Sequence, residues 1–108
     1  MPIIFVESHY PLNKNNEVLT AWLGANEKYP TPEDFLTTLI DTAVSSDKEG
    51  LKVLSAHLTK PGKYEEASAY LRKFMTEFYD IEGFVYEFKN WSTIEEAMQT
   101  IGADMPER

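Results

Sequence analysis

The stretch HLTKPGKYEEA, from His57 to Ala67, constrains the fold most, because a strand, a turn and a helix follow one another without spare residues. The run from Leu51 to Thr59 alternates and is rich in Leu and Val, which predicts a strand. Pro61 and Gly62 form a turn signal. Apolar residues at helical spacing then continue to Phe78, with Leu71 and Phe74 expected in the buried stripe. A helix must therefore fold back directly over the strand that precedes it.

Four further segments have recognisable patterns. Pro2 to Tyr10 and about Phe84 to Lys89 are predicted strands, since both are rich in β-branched and aromatic residues. Ser92 or Thr93 is expected to cap a last helix that ends at Gly102. Glu17 to Gly24 fits either a short helix closed by Gly24 or a strand.

The segment from Thr31 to Ser46 is predicted to be a helix. Thr31 is suited to the N-cap, and Pro32 is suited to the first helical position. The acidic residues Glu33 and Asp34 would then lie in the first turn, near the positive end of the helix dipole. An apolar stripe follows at helical spacing. It consists of Phe35, Leu36, Leu39, Ile40, Ala43 and Val44.

Composition narrows the functional classes. The 108 residues suit one domain, 1–108, and carry a formal net charge of −8. Such a charge argues against nucleic acid and anionic membranes as partners. There is no cysteine, and the N-terminus has no signal-peptide pattern, so a cytoplasmic protein without cofactor or metal is expected.

The alternation of strands and helices predicts an α+β fold in which the helices lie on one face of a small sheet. The predicted strands carry apolar residues on both faces, so the face without helices is too apolar to stand in water. A second copy of the sheet is the simplest cover, which predicts a homodimer. We expect Leu54 and Leu58 to pack under the helices and His57 to point away from them.

The stretch HLTKPGKYEEASAYLRKFMTEFYDIEGFVYEF, followed by WSTIEEAM, resembles the dimeric α/β-barrel group of the ferredoxin-like fold. This group includes the antibiotic-biosynthesis-monooxygenase-like proteins. The resemblance spans roughly Lys52 to Gly102. It implies a ferredoxin-like antiparallel sheet with helices on one face, pairing into a dimeric barrel that encloses a cavity. It implies no single chemistry, because members of the group include enzymes and proteins without known activity.

The two histidines are the candidate catalytic residues. His9 lies near the end of the first strand and His57 near the end of the second. A histidine beside a carboxylate can act as a general base near neutral pH, but a buried, hydrogen-bonded strand histidine has the same pattern. Residues expected to line a ligand site share these strands and their aromatic neighbours. They are Phe5, Glu7, Ser55, Tyr86 and Trp91.

Two functions follow. One is the binding of a small hydrophobic molecule or lipophilic acid in an apolar cavity, either between sheet and helices or inside the dimer barrel. The other is a cofactor-independent monooxygenase- or isomerase-like enzyme that uses a strand histidine as base. The sequence leaves open whether the protein is an enzyme.

Overall fold

Four strands form one antiparallel sheet in a computed structural model that describes residues 2–102. The strands are β1 (Ile3–Tyr10), β2 (Leu36–Asp47), β3 (Gly50–Thr59) and β4 (Val85–Trp91), in the order β2-β3-β1-β4. The helices are α1 (Asn15–Lys28), α2 (Tyr64–Met75) and α3 (Ile94–Thr100). Short 3-10 turns occupy Leu12–Lys14 and Thr76–Phe78. This element order and sheet order constitute the ferredoxin-like α+β fold, as expected.

The helix predicted from Thr31 is wrong, because Leu36–Asp47 is strand β2. The helix-start signals produce a single turn, in which the amide of Phe35 donates to the carbonyl of Pro32 at 2.9 Å. The residues that follow, LTTLIDTAV, are rich in β-branched side chains. A tight hairpin that pairs Asp47 with Gly50 then adds this segment to the edge of the sheet. Pairing with β3 therefore overrides the helical spacing of the apolar residues.

The other segments agree with the sequence patterns. The ambiguous segment Glu17 to Gly24 is helical, and α1 continues beyond Gly24 to Lys28. The strands β1, β3 and β4 and the helix α2 lie where they were predicted. Thr93 caps α3 in a full capping box, with its hydroxyl accepting from the Glu96 amide at 3.2 Å.

The register of β1 against β3 decides which residues face the helices. Ile4 lies opposite His57 and Val6 lies opposite Ser55, so these four residues share one face. Ile4 and Val6 are buried in one cluster with side chains of α1 and α2. The helix-facing side of β3 is consequently the one that carries His57.

The expected orientation of β3 is therefore reversed. Leu54 lies opposite Glu7 and Leu58 opposite Ile3, on the face away from α1 and α2. The prediction that these leucines pack under the helices, with His57 pointing away, is wrong. Both faces of β3 carry apolar residues, so alternation alone gave no basis for choosing between them.

Candidate functional site

A cavity of about 280 Å³ lies between the sheet and the helices α1 and α2. Its walls are mainly apolar. The strands β2 and β3 add hydroxyl, imidazole and carboxyl groups, and α1 adds two amide side chains. The sheet contributes, among others, Val6, Val53, Ser55, His57, Thr38 and Asp41; α1 contributes Val18, Leu19 and Trp22; and α2 contributes Tyr70, Leu71 and Phe74.

Aromatic stacking builds one end of this cavity. The Phe78 ring stacks on Phe84 with centroids 4.9 Å apart, and Phe84 stacks in turn on Tyr10 at 5.8 Å. The C-terminal end of α1 is tied to α2 through the hydroxyl of Tyr70, which donates to the carbonyl of Tyr29 at 2.8 Å. The cavity is thus held by a stacked aromatic wall and a direct connection between the two helices.

His57 is the central polar group of the cavity. Its side chain is 9% exposed, and its Nε2 lies 3.0 Å from the Ser55 hydroxyl oxygen. Its Nδ1 lies 3.4 Å from the hydroxyl oxygen of Thr38 on β2. Hydroxyl groups can donate or accept, so they satisfy either neutral tautomer of the ring. The imidazole is therefore held in one place by Ser55 of its own strand and by Thr38 of the neighbouring strand β2.

Burial lowers the pKa of His57, and the negative charge of Asp41 opposes this shift in part. Burial acts in this direction because the protonated imidazolium loses water contacts that the neutral ring needs less. The lowered pKa means that the ring is predominantly neutral at pH 7. A neutral ring has one donor and one acceptor, which here face the hydroxyl groups of Ser55 and Thr38, and it can accept a proton.

Asp41 lies where the pairing of β2 with β3 becomes irregular. The register shifts between Ile40 and Ala43, so Asp41 and Thr42 have no partner on β3. Both residues line the cavity. A bulge of this kind changes the direction of side chains at a sheet edge. It explains how the edge strand supplies polar groups to a cavity whose other walls are largely apolar.

Two predicted site residues, His57 and Ser55, lie together in this cavity. Tyr86 is on the same face of the sheet but is not part of the cavity wall. Its hydroxyl lies 3.0 Å from that of Tyr79, and this hydrogen bond together with burial raises the pKa of Tyr86.

The remaining predicted residues lie on the opposite face of the sheet. Glu7 forms a salt bridge with Lys89, whose Nζ is 2.7 Å from its carboxylate oxygen. Phe5 meets Trp91 edge to face, with centroids 6.2 Å apart. The Nε2 of His9 is buried and has no hydrogen-bond partner within residues 2–102. The sheet therefore separates His9 from His57, and the structure does not bring the two histidines into one site.

Thr38 and Asp41 are site residues that the sequence patterns missed. Both fall in the segment predicted to be a helix, outside its predicted apolar stripe. The density of Thr, Ile and Val in LTTLIDTAV was the signal for a strand. Within residues 2–102, no group of three or more His, Asp or Glu side chains has the arrangement of a metal site.

Comparison with known proteins supports the fold. No protein-family model and no curated protein matches the chain. The de novo designed protein Foldit4 is similar over 85% of this chain and 97% of its own, with a TM-score of 0.52 and 7% identity. At that identity the likeness concerns the fold alone.

A PII-like signaling protein from Thermus thermophilus aligns over 90% of this chain and 95% of its own, with 13% identity. The TM-score of this alignment is 0.38. Among the described helices, none is long and apolar enough to cross a membrane.

Proposed function

We propose that the protein binds a small, largely apolar molecule in the cavity between the sheet and α1 and α2. One observation supports this proposal above the others: an apolar cavity of about 280 Å³ contains one buried histidine whose ring nitrogens lie beside the hydroxyls of Ser55 and Thr38. Apolar walls with a few well-placed polar groups are typical of small-molecule sites.

The size of the cavity limits the ligand. In another protein, an engineered apolar cavity of about 150 Å³ binds benzene. A volume near 280 Å³ thus suits a molecule of one or two rings, or one ring with a short chain. The apolar part would pack against Trp22 and Phe74, and one polar group would bond to His57.

NMR of the two histidine rings tests this proposal with 4-phenylbutanol as the probe. We expect saturable shifts at His57 and none at His9, because the two rings lie on opposite faces of the sheet. Saturable shifts confined to His9, or the absence of any saturable shift, would contradict it.

Neighbouring residues on β3 offer a matched pair of blocking and control variants. Val53→Phe adds volume to the cavity wall, whereas Leu54→Phe makes a similar change on the opposite face. We expect Val53→Phe to weaken probe binding at least tenfold and Leu54→Phe to leave it unchanged. Circular dichroism establishes that both chains are folded. Equal binding by the two variants would place the ligand elsewhere.

The opposite face of the sheet supports the second part of the proposal, a homodimer. Val85 and Trp91 on this face are 59% and 58% exposed. Association through this face would remove them from water. We expect Trp91→Lys to shift the chain toward monomer in sedimentation velocity, and the equally exposed Leu12→Lys to have no effect. A wild-type chain that is a stable, folded monomer at micromolar concentration would refute the dimer.

A cofactor-independent enzyme is the second candidate function, and the neutral state of His57 favours it. A general base must be unprotonated at the working pH and able to reach the proton it removes. His57 would then take a proton from a carbon next to a carbonyl group, as an isomerase- or monooxygenase-like reaction requires.

Deuterium exchange separates this enzyme from a binding protein. The probe is 4-phenyl-2-butanone in D₂O, whose exchange next to the carbonyl group is followed by NMR. The enzyme hypothesis predicts exchange above the buffer rate that is lost in His57→Gln and kept in His9→Gln. Exchange at the buffer rate with the wild-type chain would contradict the enzyme hypothesis.

A further inference from the structure

The charges around the cavity are of one sign. Asp41 is the charged side chain in the cavity wall, and no Lys or Arg among the described residues lines it. His57 is buried with hydroxyl partners and does not supply a compensating positive charge. The cavity therefore presents a carboxylate to whatever enters, against an otherwise uncharged wall.

Among the described residues, the Asp41 carboxylate has no counter-ion in a salt bridge. No salt bridge joins Asp41 to any other residue within 2–102. The hydroxyl of Thr42 donates to the backbone carbonyl of Asp41 at 2.6 Å. Lys60 lines a neighbouring groove together with Asp41 and Glu33, yet it forms no salt bridge with Asp41. This carboxylate is thus available to a positively charged group in the cavity.

We propose that the molecule bound in this cavity carries a positively charged amine, which pairs with the Asp41 carboxylate while its apolar part packs among the aromatic rings. This inference rests on the proposed binding function and specifies the class of ligand. The amine gains a charge-assisted hydrogen bond, and the face of an aromatic ring such as Trp22 adds attraction for a cation.

The same charges disfavour a lipophilic acid, which was one of the two ligands expected from the sequence. A bound carboxylate would lie near Asp41 without a cation to offset the repulsion. Asp41 is exposed, so water and salt weaken this repulsion but do not change its sign. The acid would also lack a positively charged donor, since no Lys or Arg among the described residues lines the cavity.

Three probes that share a phenylbutyl group test the inference: 4-phenylbutylamine, 4-phenylbutanol and 4-phenylbutyrate. With the wild-type chain we expect the amine to bind at least about fivefold more tightly than the alcohol, and the acid most weakly. The advantage of the amine should decrease as salt is added, because salt screens an ion pair near the surface.

Asp41→Asn should lower the affinity for the amine to that for the alcohol and leave the alcohol unchanged. The control is Asp34→Asn, which removes the same charge outside the cavity wall and should preserve the preference for the amine. The control distinguishes a local ion pair from general attraction by a chain of net charge −8.

The outcomes separate the two proposals. If the alcohol and the amine bind equally, or if Asp41→Asn keeps the preference, the amine assignment is refuted and the binding function stands. If none of the three probes binds, the binding function fails, and the amine assignment fails with it.

Discussion

Gly50 and Gly24 should respond in opposite directions to the same substitution by alanine. Gly50 begins β3 with a φ of +146°, a backbone conformation that other residues rarely adopt. A Cβ added there would overlap the carbonyl oxygen of Tyr10 and lie 3.1 Å from its carbonyl carbon. Gly24 lies inside α1, where an added Cβ meets no atom within 4 Å.

The structure sets the expected magnitudes. A residue held in a sparsely populated backbone region costs about 1–3 kcal/mol, and forcing the end of β1 to move adds about 1–3 kcal/mol. Gly50→Ala should therefore lower the free energy of unfolding by about 2–6 kcal/mol, a large part of the roughly 5–15 kcal/mol typical of a domain. Gly24→Ala should raise it by about 0.5–1 kcal/mol, since Gly is a poor helix former.

Urea denaturation followed by circular dichroism measures both effects, with each variant serving as the control for the other. If the free energy of unfolding of Gly50→Ala remains within about 0.5 kcal/mol of the wild-type value, Gly50 does not approach the Tyr10 carbonyl as closely as the structure shows. If Gly24→Ala destabilises the chain, α1 does not continue through Gly24 as the structure shows.

Two further predictions concern the core and the cavity. Phe78 is 3% exposed, so Phe78→Ala should lower the free energy of unfolding in urea by about 3–5 kcal/mol. Phe74→Ala truncates a half-buried ring at the cavity and should lower it by less. Equal losses of stability in the two variants would contradict this difference. Burial lowers the pKa of His57 in the folded chain. Between that lowered pKa and about pH 6.5, the unfolded chain therefore binds more protons than the folded chain. The stability that the neutral His57 ring contributes is consequently lost as the pH falls through this window. Unfolding measured from pH 7.5 to 5 should show this loss weakened in His57→Gln and retained in His9→Gln, and an unchanged pH dependence in His57→Gln would show that the ring does not titrate as its burial implies.

Local patterns in the sequence were sufficient for most of the elements. The alternation in β1 and β3, the Pro61-Gly62 turn, the apolar stripe of α2 and the Thr93 cap depend on neighbours within a few residues. Such short-range chemistry is visible in the sequence itself. It also led to His57 and Ser55 as candidate site residues, because both lie on one side of the same strand.

Long-range pairing decided what the local patterns left open or indicated wrongly. Thr31 to Ser46 has helical spacing, yet the hydrogen bonds of β2 with β3 make most of this segment an edge strand and bring Thr38 beside His57. Both faces of β3 are apolar, so the direction of His57 depended on which face α1 and α2 cover. The separation of His9 from His57 and the arrival of Asp41 at the cavity likewise follow from strand register. The sequence thus determined most of the elements and the types of polar group available. The tertiary structure decided which of those groups share a cavity, because strand register and helix placement depend on contacts between residues far apart in the chain.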